Sequence, residues 1–344
     1  MKGLMVMEAL RVAPMEVASP LRPAVAWQAH ELPAALASEF GHHFLLSLPD
    51  AYAADPLREW PLVVFLHGRG EWGDDLARVR SQGVGALIEG GTKLPAIVVA
   101  PQTPENQMWH PSFVDAVIRC VEATCRVDAS RVYLTGLSMG AMGSLAMAAA
   151  FPGRFAAIAP IAGGFPNDGM SRFYKLPLGA LDAWQAALSP LRGMPVWLAH
   201  GGADDIVPIE FSHRVESVMR AVGAEVRCVW MPGVGHDSWT ATYRDTPEFW
   251  SWMFAQQRTA VVATPTGDAP DWVGRYVGGG GASGDLTLDG HCLRVRWQPS
   301  GVSDLLLPAS GDCFVGTMLV RLNRARGKRR LALPGMGVLR EAAT

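Results

Sequence analysis

Charged side chains are scarce in this 344-residue sequence, and neither sign dominates. Asp, Glu, Lys and Arg together make up 18% of the residues, and the formal net charge is -2. Nucleic acids and anionic membrane surfaces attract proteins that carry an excess of positive charge. We therefore expect no nucleic acid partner, and a small or neutral molecule is favoured as the ligand.

Regularly spaced cysteines and long apolar runs are also lacking. The cysteines are odd in number and scattered, with no C-x-x-C spacing, at Cys120, Cys125, Cys228, Cys292 and Cys313. This usage is typical of free thiols in a reducing compartment. Glu8 and Arg11 interrupt the apolar N-terminus, which makes it a poor signal peptide. No run approaches the roughly 20 apolar residues of a membrane span, so the sequence predicts a cytoplasmic protein.

Short apolar runs alternate with segments of helical spacing over most of the chain. The runs lie at 43–49, 61–68, 95–101, 131–136, 155–161, 195–201 and 225–232. The helical segments lie at 111–125, 139–151, 209–222 and 246–257. Because the runs are β-branched or aromatic and end in Gly or Pro, they are typical of buried parallel strands. The alternation predicts an α/β fold with a mostly parallel sheet covered by helices on both faces.

The composition changes near residue 258. Residues 259–272 form a polar, Pro-containing stretch that is typical of a linker. Beyond it, alternating runs and an Asp-Gly turn signal predict a small antiparallel β domain over 273–344. We accordingly divide the chain into an N-terminal extension (1–40), a main α/β domain (41–258), the linker and the small β domain.

One serine lies in a pattern that activates hydroxyl groups. Gly136-Leu137-Ser138-Met139-Gly140 fits G-x-S-x-G and stands between a predicted strand and a predicted helix. A nucleophile elbow needs small residues around the serine, because the turn is sharp and lifts the hydroxyl above the sheet. The strand–turn–helix context therefore predicts Ser138 as a nucleophile.

A serine hydroxyl needs a base, and two histidines compete for that role. With an elbow of this kind the chain order is Ser, then Asp or Glu, then His. His236 follows the last predicted strand of the main domain, where a loop can return it to Ser138. His200 ends an earlier strand, so we expect it to order its own loop and favour His236 as the base.

The acid that orients the base is expected on the loop after the strand 195–201. Asp204 and Asp205 are adjacent there. Only the carboxylate that faces the imidazole can fix its tautomer and stabilise the imidazolium. The residues alone leave both candidates open.

Two backbone N–H groups must meet the developing oxyanion. One is expected from Met139, at the head of the elbow helix. The second is expected from the loop that follows the strand 61–68, where Arg69 is the favoured donor and Gly70 the alternative. No metal or cofactor is expected. His42 and His43 are adjacent instead of at H-x-H or helical spacing, and no H-E-x-x-H motif occurs.

These motifs resemble the predicted-peptidase and carboxylesterase group of bacterial α/β-hydrolases, which is related to phospholipase/carboxylesterases, feruloyl esterases and polyhydroxybutyrate-depolymerase-like proteins. The resemblance covers about 41–257 and is carried by PLVVFLHGRGEWGDD, PAIVVAPQ, RVYLTGLSMGAMG, FAAIAPIAGG, HGGADDIVP and PGVGHDSW. It implies an α/β-hydrolase fold, a small-molecule ester substrate and cofactor-free ester hydrolysis. It also assigns the acid to Asp204, because the family pattern is His-Gly, two residues, Asp, then Val-Pro. The alternatives are a peptidase or amidase with the same triad, or a non-catalytic binding protein.

The chain departs from this resemblance in two places. Arg69 stands where the family usually has a small residue. The segment 163–194 is longer than usual and is rich in aromatic residues. We interpret it as a candidate lid that walls a substrate pocket through Phe173, Trp184, Trp109 and Trp239. The alternative is that these side chains merely pack against the elbow helix.

Overall fold

A computed structural model describes residues 26–33, 40–165, 184–185, 188–258 and 272–277, and the strands between 283 and 342. Eight strands form the main sheet: β1 Gln28–Glu31, β2 His43–Ser47, β3 Trp60–Leu66, β4 Ile97–Pro101, β5 Val127–Leu137, β6 Ala157–Ile161, β7 Pro195–Gly201 and β8 Glu225–Met231. Their order is β1-β2-β4-β3-β5-β6-β7-β8. From β4 to β8 in this order all neighbouring strands are parallel, whereas β2 is antiparallel to both of its neighbours, β1 and β4. The predicted α/β fold is confirmed.

Helices connect these strands. The helices are α1 Gly83–Glu89, α2 Pro111–Thr124, α3 Met139–Ala150, α4 Glu210–Ala221, α5 Ser238–Thr240 and α6 Pro247–Ala255, with a π-helical turn at Ala241–Asp245. Short 3-10 turns occur at Arg69–Glu71, Arg78–Arg80 and Ser189–Leu191. No helix in the described part of the chain is long and apolar enough to cross a membrane.

The central strands are apolar throughout because both faces of the sheet are covered. All residues of β3 and β4 are buried. One face carries a core shared with α2, α3 and α4, and the other a core shared with α1 and α6. The active edge of such a sheet is the carboxyl end of its strands, where the connecting loops gather.

The main domain begins earlier in the chain than the expected boundary at residue 41. Gln28–Glu31 pairs with His43–Ser47 and forms the first strand of the sheet, and Trp27 is buried in the core. The strand alternates half-buried and exposed residues. A four-residue edge strand of that kind has no apolar run, so the hydrophobic pattern did not predict it.

The C-terminal strands form a separate antiparallel unit, as predicted. The strands are β9 Gly274–Val277, β10 Ser283–Asp289, β11 Cys292–Gln298, β12 Ser303–Ser310, β13 Cys313–Val315, β14 Leu319–Ala325, β15 Lys328–Leu333 and β16 Gly337–Glu341. They close into a barrel, since β9 pairs with both β10 and β16. Closure removes the unpaired strand edges that an open sheet would expose.

Candidate active site

Ser138 lies on a strained turn between β5 and α3. Its backbone has φ 53° and ψ −115°, a region that non-glycine residues rarely adopt. Such strain costs about 1–3 kcal/mol and persists only where the surroundings impose it. Here the N–H of Ser138 donates to the carbonyl of Ile161 at 2.9 Å, which ties the turn to the neighbouring strand.

The flanking glycines are required by close backbone contacts. A Cβ at Gly136 would lie 2.4 Å from the carbonyl oxygen of Gly140, and one at Gly140 would lie 2.0 Å from that of Leu66. Backbone atoms cannot yield as a flexible side chain can. The G-x-S-x-G spacing therefore lets α3 approach β3 and β5 closely enough to hold Ser138 at the end of its strand.

His236 reaches Ser138 from the loop after β8. Its Nε2 lies 3.0 Å from Ser138 Oγ, and its Nδ1 lies 2.7 Å from Asp204 Oδ2. A carboxylate can only accept, so Nδ1 carries the proton and the Nε2 lone pair faces the serine hydroxyl. The ring is also held edge-on against Trp239, with centroids 5.0 Å apart. This tautomer can take a proton from Ser138.

The Asp204 side chain has no solvent exposure, whereas Asp205 is exposed on the same loop. Its Oδ1 accepts from the N–H groups of Ile206 and Val207, both at 2.9 Å. Burial raises the pKa of the Asp204 carboxyl, but the hydrogen bonds from His236 and these two N–H groups outweigh it. The pKa of Asp204 therefore lies below its ordinary value.

His200 approaches the same carboxylate from the other side. Its Nε2 lies 3.0 Å from Asp204 Oδ2 and 2.8 Å from the carbonyl of Val207, so this nitrogen must carry a proton. Its Nδ1 lies 2.6 Å from Ser212 Oγ. Burial lowers the pKa of His200, against the opposing effects of Val207 and Asp204. Both ring nitrogens are thus engaged, and His200 holds the acid's loop instead of approaching Ser138.

The loop after β3 is fixed by a neutral histidine. The N–H of Thr103 donates to His67 Nε2 at 3.1 Å, so the proton lies on Nδ1, which donates to the carbonyl of Gly68 at 2.6 Å. His67 is completely buried, and burial lowers its pKa to about 4. Trp109 adds a third contact, since its Nε1 donates to the His67 carbonyl at 3.0 Å.

These contacts determine which N–H groups are available to an oxyanion. The N–H of Gly68 already donates to Glu71 Oε2 at 2.8 Å. A trans peptide directs its C=O and N–H to opposite sides. Because the Gly68 carbonyl points to His67, the N–H of Arg69 points away from that ring. Met139 begins α3, so its N–H has no acceptor within the helix.

Sequence reasoning missed Glu71, although its spacing offered a signal. Glu71 follows Gly68 by three residues and reaches back to its N–H, as an N3 glutamate does in a capping box. The side chain is buried, and burial raises the pKa of its carboxyl, opposed by the Gly68 hydrogen bond. Glu71 thus holds the N–H of Gly68, while the His67 ring holds its carbonyl.

The four aromatic residues that were expected to line a substrate pocket lie in different surroundings. Trp109 packs against His67, with ring centroids 4.7 Å apart, and so lies against the loop after β3. Trp239 packs against His236 and borders the serine–histidine pair. Phe173 lies outside the described residues. Trp184 is 1% exposed and stacks on Phe165 at 4.8 Å.

These contacts favour a packing role for Trp184, and the lid interpretation of the segment stays a prediction. Its ring belongs to the core on the α2 and α3 side of the sheet, together with Leu188 and Leu191. A side chain with that packing contributes to the stability of the fold. For this part of the segment, the alternative of packing against the elbow helix is the better description.

A match to a family model is evidence of the function class that does not depend on the geometry. The model named Esterase, with the description "Putative esterase", matches residues 38–239, which is more than half of the chain. This chain belongs to the esterase family. The matched region includes the elbow, both acidic candidates and His236.

Individual relatives are esterases that the chain covers in part. Esterase YjfP of Escherichia coli is 28% identical over 225 residues, covering 55% of this chain and 84% of that protein. A probable feruloyl esterase C of Aspergillus terreus is 30% identical over 130 residues, covering 36% of this chain and 47% of that protein. The chain spans about half the length of the first curated relatives that it matches.

A solved structure supports the same fold. The crystal structure of a thermostable esterase superposes with a TM-score of 0.51 at 28% identity, covering 68% of this chain and 64% of that one. The resemblance to esterases of the α/β-hydrolase type is thus confirmed by family, relatives and fold.

Proposed function

We propose that this esterase-family chain is a serine carboxylic-ester hydrolase that works through an acyl-enzyme on Ser138. The observation that carries the proposal is a continuous chain of hydrogen bonds. It runs from Ser138 Oγ to His236 Nε2 at 3.0 Å and from His236 Nδ1 to Asp204 Oδ2 at 2.7 Å. Family membership supports an ester as the small-molecule substrate.

The first half of the reaction forms the acyl-enzyme. His236 Nε2 takes the proton of Ser138 as Oγ attacks the ester carbonyl carbon, and the carbonyl oxygen becomes an oxyanion. The N–H groups of Arg69 and Met139 donate to this oxyanion. When the tetrahedral intermediate collapses, the bond to the alcohol oxygen breaks and His236 returns the proton to the leaving alcohol.

Water completes the cycle. His236 Nε2 accepts a proton from water, whose oxygen attacks the acyl carbon, and the proton passes to Ser138 Oγ as the acid departs. During both halves the Asp204 carboxylate stabilises the imidazolium without itself becoming protonated. We further propose that 273–344 contributes no residue to this chemistry, since all three groups lie in the main domain.

A fluorophosphonate probe tests the proposal directly. The probe phosphonylates a hydroxyl only where a base activates it. We expect one labelled residue per chain, Ser138 by mass spectrometry of the digest, and no labelling of Ser138→Ala. Ser144, a buried serine six residues further along in α3, provides the control, since Ser144→Ala should keep full labelling. Labelling that persists in Ser138→Ala contradicts the assignment.

A further inference from the structure

Three side chains of metal-binding type meet at the far edge of the main sheet. Glu31 ends β1, His43 begins β2, and His42 directly precedes that strand. One ligand atom from each, a carboxylate oxygen and two imidazole nitrogens, lies within 4.8 Å of the others. This juxtaposition is invisible along the sequence, where the glutamate and the histidines are separated by ten residues.

The backbone holds the three residues together. Glu31 and His43 are directly opposite in the antiparallel pair of β1 and β2, so their side chains share one face of the sheet. The N–H of Leu32 donates to the carbonyl of His42 at 2.7 Å, which fixes the neighbouring position as well. The ligand set is therefore positioned by strand pairing and not by chance proximity of loops.

The side chains themselves are available. The rings of His42 and His43 lie 4.0 Å apart at 54°, and in the described part of the chain no side chain hydrogen-bonds or ion-pairs with either ring or with Glu31. Glu31 is exposed and His43 is half-buried, so rotation about their side-chain torsions is open to both. Two adjacent imidazoles and a carboxylate, with no side-chain partner among the described residues, are a set of ligands suited to a metal ion.

We propose that Glu31, His42 and His43 bind a divalent transition-metal ion of the zinc type. Imidazole and carboxylate together favour Zn²⁺, Co²⁺ or Ni²⁺ over Mg²⁺ and Ca²⁺, which prefer oxygen ligands alone. Bond lengths near 2.1 Å in a tetrahedral site bring ligand atoms to about 3.4 Å from one another. Binding would require side-chain rotation to shorten the present spacing, which is up to 4.8 Å, to that value. Water fills the fourth position.

The site would act on stability instead of chemistry. In the sheet, β1 and β2 lie at one end, whereas the strands that carry Ser138, Asp204 and His236 occupy the other half. An ion bound to Glu31 and His43 would cross-link an edge strand to its neighbour. Edge strands are the least secured part of a sheet, so the bound ion should raise the resistance of this edge to unfolding.

Zinc titration of the tag-free protein tests the site. We expect saturable 1:1 binding of Zn²⁺ by calorimetry and a Tm that rises with Zn²⁺ but not with Mg²⁺. Glu31→Gln and His43→Asn should each weaken binding about tenfold or more and remove the rise in Tm, with ester hydrolysis unchanged. His213→Asn, which removes an exposed histidine on α4, is the matched control and should bind as the wild type does.

The outcomes separate the alternatives. Absence of saturable Zn²⁺ binding in the wild type overturns the proposal. Equal zinc affinity in the wild type, Glu31→Gln and His43→Asn also overturns it, because the ion then lies elsewhere. If His43→Asn fails to fold, Glu31→Gln decides alone, since Glu31 is exposed at the sheet edge and its amide keeps the side-chain shape.

Discussion

Replacing Asp204 by asparagine should invert the proton arrangement of the active site while keeping its shape. The N–H groups of Ile206 and Val207 both donate to Oδ1, so an asparagine must turn its carbonyl oxygen to that side. Its NH₂ group then occupies the position of Oδ2 and donates to His236 Nδ1. The imidazole is forced to carry its proton on Nε2, facing Ser138, where it can no longer accept one.

The expected loss follows from that tautomer. An asparagine at the acid position of a serine triad lowers kcat by about 10⁴, which corresponds to about 5 kcal/mol at 1.36 kcal/mol for each factor of ten. His200 adds to the conflict, because its Nε2–H now faces an NH₂ group as well. We expect Asp204→Asn to lose about four orders of magnitude in kcat for p-nitrophenyl acetate, with a smaller change in KM.

Asp205→Asn is the matched control, because it makes the same chemical change on the same loop at an exposed position. It should stay within a few-fold of the wild type. Circular dichroism and a thermal melt of both variants separate lost chemistry from lost folding. A folded Asp204→Asn with kcat within tenfold of the wild type would refute the tautomer argument, and an inactive Asp205→Asn would show that the wrong carboxylate has been assigned.

The remaining predictions concern stability and domain roles. Gly140→Ala should lower the free energy of unfolding, measured by urea denaturation, by about 3 kcal/mol or more, because the added Cβ would lie 2.0 Å from a backbone oxygen. Gly70→Ala is the control and should be neutral, since its Cβ would meet no atom within 4 Å. The pKa of His67 is about 4 in the folded protein and about 6.5 in the unfolded chain, so the free energy of unfolding should fall by up to about 3 kcal/mol as the pH drops from 6.5 to 4. His67→Gln should make the free energy of unfolding less dependent on pH in this range. Deleting 265–344 should leave Ser138 labelling intact, and its loss in a folded truncation would contradict the proposed independence.

Much of the fold could be predicted because its signals are local. Seven of the eight strands of the main sheet are dense apolar runs, and their hydrophobic pattern predicted them. The exception, Gln28–Glu31, has one face exposed and is four residues long. Closure of the C-terminal strands into a barrel depends on the pairing of β9 with β16, residues that are more than 60 positions apart. Periodicity carries no information about such a pairing.

In the candidate site, too, some residues have a local sequence signal and others depend on the three-dimensional arrangement. Ser138 and His236 were predicted from local spacing and chain order, and the structure brings their side chains within 3.0 Å. The choice between Asp204 and Asp205 needed the family pattern, because two adjacent carboxylates have the same composition and differ only in which way the loop turns them. The role of Trp184 could not be chosen from the sequence for a related reason: an aromatic residue in a long segment has the same sequence signal in a lid and in a core.

The two histidines that share Asp204 Oδ2 show how geometry separates groups of identical chemistry. His200 is locked, because its Nε2–H donates to the carbonyl of Val207 and Ser212 Oγ lies at hydrogen-bond distance from its Nδ1. Ser212 Oγ also lies 2.7 Å from the carbonyl of Gly163, beside the elbow. His236 donates to Asp204 through Nδ1 alone, and the lone pair on its Nε2 faces Ser138. A base must exchange a proton at one nitrogen while the other stays bonded, and of these two histidines only His236 meets that condition.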